Sequence, residues 1–226
     1  MQLKNQALII AFVEKYQTSP RLQELAVASV VAGAFLICAD SGGTVARQWG
    51  LTPDVLLGDM DSITTEDLQF WQEKGIPIQH YPSAKDETDL ELALTLALER
   101  GYQDLTILGG LGGRLDQTFG NLALLALPTL LKPSITVRIV GEAEEIYLLQ
   151  GPCHFNLNGT IGESVSLLPA TASAQGIRTT NMRYPLHDET LFFGTTRGMS
   201  NVITGNPAQV SLESGLLYLI RNLSST

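Results

Sequence analysis

Apolar and polar residues follow two different patterns along the chain, and the change between them falls near residue 143. Before that point, short apolar runs alternate with stretches in which apolar residues recur every three or four positions. The runs predict buried strands, and the three-to-four spacing predicts amphipathic helices. The predicted strands are Ala7–Phe12, Phe35–Ala39, Val55–Leu57, Ile76–Tyr81, Leu105–Leu108 and Ile135–Val140. The predicted helices are Arg21–Val31, Thr44–Trp49, Thr65–Lys74, Glu87–Arg100 and Thr118–Leu127.

From about Glu144 onward, short strand-like pieces are separated by Gly, Pro and Asn. This pattern is typical of an antiparallel β-sandwich, whereas the strand–helix alternation before it favours a mostly parallel sheet covered by helices. We therefore predict an α/β domain over residues 1–143 and a β-sandwich domain over residues 144–226. The predicted sandwich strands are Glu145–Leu149, Ser164–Leu168, Gly176–Arg178, Leu191–Phe193, Ala208–Leu212 and Leu216–Ile220.

Composition narrows the class of protein. With 226 residues, 44% apolar and 16% charged, the chain is expected to be a soluble globular protein. Its apolar runs are shorter than the ~18 residues of a membrane span, and the N-terminus predicts no signal peptide. Two cysteines, Cys38 and Cys153, favour reduced thiols in a cytoplasmic protein.

The net charge of −9 argues against a nucleic-acid partner, because such a partner requires a broad basic face. It does not argue against a single nucleotide. A metal ion and a few local cations are enough to hold a triphosphate in an acidic protein.

The first candidate site is Gly58-Asp59-Met60-Asp61-Ser62, directly after the predicted strand Val55–Leu57. Side chains two positions apart on an extended segment point the same way, so Asp59 and Asp61 can face one point. Carboxylate oxygens suit Mg²⁺, which usually keeps one or two carboxylates and substrate phosphates as ligands. The same residues also suit an acidic turn in which Ser62 caps the next helix. The motif alone leaves both interpretations open.

The second candidate site, Lys85-Asp86-Glu87-Thr88-Asp89, leads into a predicted amphipathic helix. Asp86 and Asp89 are three positions apart, which suits an N-cap and the third helical position. Capping therefore explains the acids, but it does not explain Lys85. A cation beside acids at a strand-to-helix junction favours a site that holds both a metal ion and phosphate.

The third candidate site is the glycine-rich stretch Gly109-Gly110-Leu111-Gly112-Gly113-Arg114-Leu115-Asp116. Its glycines allow backbone N–H groups to approach phosphate oxygens closely, and Arg114 adds a planar cation. The spacing fits neither a P-loop nor a dinucleotide fingerprint. A fourth, weaker site is Ala39-Asp40-Ser41-Gly42-Gly43, with Arg47 one turn further on.

All four sites follow predicted strands of one sheet. Ligands of parallel α/β sheets bind beyond the carboxyl ends of the strands. Carboxylates, glycines and cations gathered on one such edge are what an ATP–Mg²⁺ site requires.

In their order and spacing, these four motifs resemble the thiamine pyrophosphokinase family. The resemblance covers residues 35–125, and Gly198-Met199-Ser200-Asn201 with Gly215-Leu216-Leu217 resemble the second domain of that family. It implies an α/β domain that binds ATP and Mg²⁺ and a β-sandwich domain that binds thiamine and dimerises. It also implies a homodimer with active sites between the subunits, and transfer of pyrophosphate from ATP to thiamine.

The resemblance also implies roles for individual residues. The implied Mg²⁺ ligands are Asp59, Asp61 and Asp89, with Asp86 as a helper. The implied nucleotide contacts are Asp40, Arg47, Lys85, Thr88, Gly110, Gly112, Gly113 and Arg114. The residues expected to face thiamine are Asp116, Gln117, Asn121, Ser200 and Asn201. The residues expected to carry catalysis are Asp59, Asp61, Asp89, Lys85 and Arg114.

The chain departs from the family pattern at two places. Gln117 stands where family members usually carry His, so an acid–base role is not expected there. Phe12-Val13-Glu14 follows the first strand, where a small glycine-containing turn is usual. Two alternative functions stay open: a nucleotide-binding regulatory module without catalysis, and a haloacid-dehalogenase-type phosphatase whose nucleophile motif would be Asp59-Met60-Asp61-Ser62.

Overall fold

The computed structural model describes residues 5–11 and 19–223, and the contacts within it divide the chain into two compact units between Glu142 and Ala143. The C-terminal end of the predicted strand at Phe12 and the unusual Phe12-Val13-Glu14 segment lie outside the described residues. Among the residues that are described, no helix combines the length and apolar content needed to cross a bilayer.

The first unit alternates strands and helices, as the apolar pattern predicts. Its strands are β1 (Gln6–Ile10), β2 (Phe35–Ala39), β3 (Val55–Gly58), β4 (Ile78–His80), β5 (Asp104–Leu108) and β6 (Thr136–Val140). Its helices are α1 (Pro20–Val31), α2 (Gly42–Gln48), α3 (Thr65–Glu73), α4 (Asp89–Glu99) and α5 (Leu115–Leu124).

These six strands form a parallel arrangement in the order β6-β5-β1-β2-β3-β4. The chain builds outward from β1 to β4 on one side and adds β5 and β6 on the other. The strand order therefore reverses between β1 and β5, and such a reversal opens a crevice at the carboxyl ends of the strands. Buried Leu8, Leu36 and Leu56 pack against helix residues such as Leu22 and Trp71 to form the core.

Helix starts differ from the sequence prediction at two positions. Thr88, not Asp86, caps α4 by accepting a hydrogen bond from the Glu91 N–H, so Asp89 is the first helical residue instead of the third. Thr64, not Ser62, caps α3 through the Asp67 N–H. In both cases a threonine just before the helix provides the capping oxygen. The acidic residues of the candidate sites therefore do not cap these helices, and their carboxylates can make other contacts.

The second unit contains two antiparallel sheets. Its strands are β7 (Glu144–Gln150), β8 (Cys153–Leu157), β9 (Ser164–Pro169), β10 (Ser173–Thr180), β11 (His187–Phe192), β12 (Asn201–Val202), β13 (Ala208–Leu212) and β14 (Leu216–Asn222). The strand orders are β12-β9-β14-β7 and β11-β10-β13-β8. Apolar residues from both sheets, among them Leu167, Ile177, Val210 and Leu219, form one buried core. The predicted fold class is confirmed.

Strands β8 and β12 were not predicted. In β8, exposed His154 and Asn156 alternate with apolar residues, and the prediction, which followed continuous apolar runs, missed this period of two. Strand β12 has only two residues, which is too short for any period to show.

Candidate active site

A cavity of about 600 Å³ lies at the carboxyl edge of the parallel strands in the first unit. It is bordered by Ala11 after β1 and by residues that follow β2, β3, β4 and β5. The remaining lining residues are Ala39, Asp40, Ser41, Asp59, Asp61, Ser62, Lys85, Thr88, Asp89, Leu90, Arg114, Asp116, Gln117, Gly120 and Asn121. Each of the four predicted motifs therefore contributes at least one residue to one cavity.

Asp40 is buried at the end of β2 and has a left-handed backbone conformation with φ of 45°. Its carboxylate accepts hydrogen bonds from the N–H groups of Ser62, at 3.1 and 3.2 Å, and of Ile63, at 3.0 Å. Burial raises the pKa of Asp40, and these hydrogen bonds oppose the rise. Asp40 thus holds the loop after β3 against the loop after β2.

The loop after β3 carries Asp59 and Asp61 into the same cavity. Gly58 takes a φ of 137°, and a Cβ atom there would lie 3.1 Å from the carboxylate of Asp89. Only glycine therefore allows the loop this close approach. Burial opposes ionisation of Asp59, but the Asp61 N–H, the Ser83 hydroxyl and the nearby Lys85 outweigh it, so the pKa of Asp59 is lowered.

Lys85 and Asp89 form an ion pair at the start of α4, with 3.1 Å between Nζ and Oδ1. The Lys85 side chain is 11% exposed and that of Asp89 is 22% exposed. Although Lys85 is near, Asp89 Oδ1 is buried and accepts no hydrogen bond from the described residues. The contact is therefore a charge pair without hydrogen-bond geometry, and one buried carboxylate oxygen remains free to bind another group.

Carboxylate oxygens of Asp40, Asp59 and Asp89 lie within 4.8 Å of one another. Of the predicted metal ligands, the structure thus groups Asp59 and Asp89 and adds Asp40, which the sequence assigned to the nucleotide. Asp61 lines the cavity, but its Oδ1 accepts a hydrogen bond from the Ser62 hydroxyl and it is not part of this trio. Asp86 is exposed and does not line the cavity.

The glycine-rich loop after β5 has positive φ angles at Gly109, Gly110, Gly112 and Gly113. Such angles favour glycine strongly, so the loop could not be built from other residues without strain. Asn121 donates a hydrogen bond of 2.8 Å to the Gly110 carbonyl and also lines the cavity. Asn121 therefore connects the loop to helix α5. The predicted phosphate contacts of the glycines stay a prediction.

Helix α5 presents polar groups at its first turn. Arg114 and Asp116 form an exposed ion pair of 2.6 Å. The guanidinium of Arg114 and the Gln117 N–H lower the pKa of Asp116. Gln117 lines the cavity beside them.

Arg47, a predicted nucleotide contact, does not line the cavity. Its guanidinium binds Asp67 at 2.7 Å and Glu66 at 3.0 Å, and lies 4.4 Å from the centre of the Phe70 ring. Buried Asp67 also accepts hydrogen bonds from the hydroxyls of Thr44 and Thr64. Arg47 thus ties α2 to α3, and its contact with a nucleotide stays a prediction.

We expect the Asp67→Asn substitution to destabilise the protein by about 1–3 kcal/mol at pH 7. The Arg47 guanidinium and the hydroxyls of Thr44 and Thr64 would lose the ionised carboxylate that accepts their hydrogen bonds. Burial opposes ionisation of Asp67, yet Thr44, Thr64 and Arg47 outweigh it and lower its pKa. A lowered folded-state pKa stabilises the protein above the unfolded value of 3.8. The difference between wild type and variant should therefore shrink as the pH falls below about 4. Urea unfolding at pH 7 and at pH 3 measures it.

Glu66→Gln is the matched control, because Glu66 pairs with the same guanidinium but its side chain is 83% exposed. It should cost less than about 0.5 kcal/mol. Equal losses in the two variants would mean that Asp67 has no special role.

In the second unit, Ser200 has a φ of 56° and its N–H donates to the Ser166 hydroxyl. Asn201 is buried, and its amide exchanges hydrogen bonds of 2.7 and 2.9 Å with the backbone of Tyr184. Its side chain therefore fixes the Tyr184 loop. Asn201 lines a small cavity of about 60 Å³, with Leu167, Tyr184, Leu186, Arg197, Gly198 and Met199.

Several lining residues carry no sequence signal. Ala11 becomes a neighbour of the acidic loops only because β1 lies between β2 and β5. Ser41 stands in the fourth candidate site, directly after Asp40, but no individual role was predicted for it. Leu90 and Gly120 sit on helices whose facing side depends on packing.

Comparison with known protein families yields two adjacent matches. The model described as the thiamin pyrophosphokinase catalytic domain matches residues 29–139, and the one described as the thiamin pyrophosphokinase vitamin B1 binding domain matches residues 153–217.

Individual relatives carry related names. The thiamine pyrophosphokinase of Bacillus subtilis is 30% identical over 188 residues, which cover 82% of this chain and 86% of that protein. Thiamine pyrophosphokinase 2 of Oryza sativa is 27% identical over 187 residues, which cover 76% of this chain and 67% of that protein.

Solved structures agree. The crystal structure of the Bacillus subtilis thiamine pyrophosphokinase superposes with a TM-score of 0.85 at 26% identity, covering 97% of this chain and 100% of that one. Yeast thiamin pyrophosphokinase gives a TM-score of 0.77 at 16% identity, covering 97% of this chain and 86% of that one, and supports the fold alone.

Proposed function

The chain belongs to the thiamin pyrophosphokinase family, and we propose that it transfers a pyrophosphoryl group from ATP to the hydroxyl of thiamine, giving thiamine diphosphate and AMP. The observation that carries the proposal is the trio of carboxylates from Asp40, Asp59 and Asp89, within 4.8 Å of one another and beside Lys85. This arrangement suits a polyphosphate and the divalent cation that accompanies it.

The residues present fit Mg²⁺. Carboxylate oxygens are its preferred protein ligands, and Asp89 Oδ1 is a buried oxygen that lacks a hydrogen bond from the described residues. Five carboxylates but only two cations, those of Lys85 and Arg114, are among the described residues that line the cavity. Without a bound metal ion, this excess of three negative charges would repel ATP. Asp40, Asp59 and Asp89 would hold the ion, and Asp61 stays a predicted ligand from the same loop.

Phosphoryl transfer needs alignment and charge neutralisation more than covalent help from the protein. When bound, Mg²⁺ would neutralise phosphate oxygens. Lys85 and Arg114 would offset the charge that develops as the thiamine hydroxyl attacks the β-phosphorus and AMP leaves. Thr88 and the N–H groups of the glycine-rich loop would position the phosphates.

The lowered pKa of Asp116 bears on thiamine. Asp116 is ionised at neutral pH and suits a contact with the positively charged thiazolium ring better than a role as proton acceptor. Gln117 and Asn121 line the cavity beside it and can donate hydrogen bonds. We place thiamine against these three side chains.

A homodimer in a cytoplasmic setting completes the proposal, with the loop that carries Ser200 and Asn201 in one copy lying near the thiamine of the other. The match of residues 153–217 to a vitamin B1 binding domain supports a thiamine role for this unit. Because the Asn201 amide is already bonded to the Tyr184 backbone, we propose that it shapes the thiamine pocket through the Tyr184 loop.

The test is to incubate the protein with ATP, Mg²⁺ and thiamine, and to quantify AMP and thiamine diphosphate by chromatography. We expect equimolar AMP and thiamine diphosphate, and neither when EDTA replaces Mg²⁺ or when thiamine is left out. ATP binding without AMP would indicate a regulatory module instead. Phosphate release from a generic ester without ATP would indicate a phosphatase.

A further inference from the structure

The ammonium group of Lys85 is placed among carboxylates that a metal ion would also bind. Its Nζ lies 3.1 Å from Asp89 Oδ1, and its side chain is only 11% exposed. The positive charge of Lys85 also acts on Asp59, a second member of the trio. Lys85 is therefore the counterion of Asp89 and also acts on Asp59, two of the three members of the carboxylate trio.

The position of Lys85 lowers the electrostatic energy of the protein without ligands. Three carboxylates within 4.8 Å of one another repel each other, and each is partly or wholly removed from water. A nearby cation relieves that repulsion. The segment Ser83–Thr88, which carries Lys85, is not helical, so the Lys85–Asp89 pair spans the junction into α4 and is not a contact between successive helical turns.

Asp89 Oδ1 cannot pair fully with Lys85 and with a divalent ion at the same time. Asp89 Oδ1 accepts no hydrogen bond from the described residues, and the cation beside it is Lys85, at 3.1 Å. A divalent ion bound to this oxygen would take over the charge that Lys85 now balances. A largely buried ammonium group without its anion is costly, so Lys85 would need a new anionic partner.

We propose that Lys85 is a built-in competitor for the divalent metal ion: it neutralises Asp89 in the free protein, and it turns to the phosphate oxygens when metal and nucleotide bind together. Metal alone then binds weakly, because it must displace Lys85 and leave it unpaired. Metal that arrives with a polyphosphate binds tightly, because the phosphate supplies the new partner. Metal and nucleotide binding are coupled through this one side chain.

The proposal rests on the metal site of the proposed function, and it predicts opposite effects on two kinds of ligand. Removing a cation weakens the binding of an anionic ligand such as ATP, but it strengthens the binding of a metal ion that competes with that cation. Here the Lys85→Met substitution should strengthen the binding of Mn²⁺ alone by about tenfold, since removing one positive charge next to a divalent ion has about this effect even at a water-like dielectric constant. Lys85→Arg keeps the charge and should give no such gain.

The measurement is a titration of the full-length protein with Mn²⁺, without nucleotide or thiamine, followed by loss of the paramagnetic resonance signal of the free ion. Lys132→Met is the matched control, because it removes the same charge from an exposed residue outside the cavity. It should leave Mn²⁺ affinity unchanged within about twofold. Thermal unfolding of each variant without metal shows whether it is folded.

The outcomes separate the two proposals. Tighter Mn²⁺ binding by Lys85→Met but not by Lys132→Met or Lys85→Arg supports the competition. Unchanged or weaker binding by folded Lys85→Met, no binding by any variant, or an equal gain in Lys132→Met would overturn it. AMP and thiamine diphosphate formation by wild type is measured separately, so it can succeed while the competition fails, or fail while the competition holds.

Discussion

Asp89→Asn lowers the rate of AMP formation by at least about a hundredfold while the protein stays folded; this is the largest effect on activity that we expect. The substitution keeps the shape of the side chain but removes the charge that Lys85 and a divalent ion both require. Asp89 contributes an oxygen to the trio and lies at the first position of α4, where Thr88 already provides the cap. Helix α4 should therefore form normally, and circular dichroism should match wild type.

Asp86→Asn is the matched control for this experiment. It makes the same chemical change three residues earlier, at an exposed position that does not line the cavity. We expect activity within about threefold of wild type, in line with an exposed surface substitution. If both variants keep near-normal rates at saturating Mg²⁺, or if both lose activity equally, the assignment of the metal ligands from this structure is wrong.

Gly42→Ala should destabilise the protein by about 3 kcal/mol or more, which is the largest effect on stability that we expect. A Cβ atom at Gly42 would collide with the carbonyl oxygen of Ile10 and touch the Ile10 side chain. Ile10 ends β1 and is fully buried, so neither backbone can move without disturbing the sheet. Because Gly42 follows Asp40 by two residues, the strain should also displace the Asp40 loop and lower activity. Urea unfolding measures the loss of stability.

Gly120→Ala is the matched control: it is the same chemical change, but we expect it to raise the stability of the protein instead of lowering it. Gly120 lies within α5, and a Cβ atom there would have no heavy atom within 4 Å. Alanine in a helix interior is more stable than glycine by about 0.5–1 kcal/mol, so this variant should be slightly more stable than wild type. Equal destabilisation of both variants would show that the backbone contact at Gly42 is not the cause.

Much of the fold was predictable because the apolar pattern alone determines which segments must be buried. The bounds of β2 and β13 agree with the prediction to the residue. Helix ends were less accurate: α5 begins at Leu115, not Thr118, because the glycine-rich loop ends at Arg114, which becomes the N-cap residue. The short strand β12 has too few residues for its pattern to be recognised.

The candidate site was predictable to a similar degree. The sequence placed acids, glycines and cations after successive strands, and the structure brings residues of all four motifs to one cavity. The sequence alone could not show which of the carboxylates lie close to one another. Asp40 joins the trio because the amides of Ser62 and Ile63 hold its carboxylate at the neighbouring loop. Arg47 points elsewhere because Asp67, twenty residues away, offers it a buried partner.

The sequence by itself determined the order of strands and helices, the change to antiparallel strands near residue 143, and the chemical groups available at each strand end, since all of these depend on local pattern and residue type. The tertiary structure alone decided that β1 lies between β2 and β5, which brings Ala11 and α5 to the acidic loops, and that Asp40, Asp59 and Asp89 share one point with Lys85 among them. Distances between side chains far apart in sequence follow from how the strands pair and pack, and no local pattern contains that information.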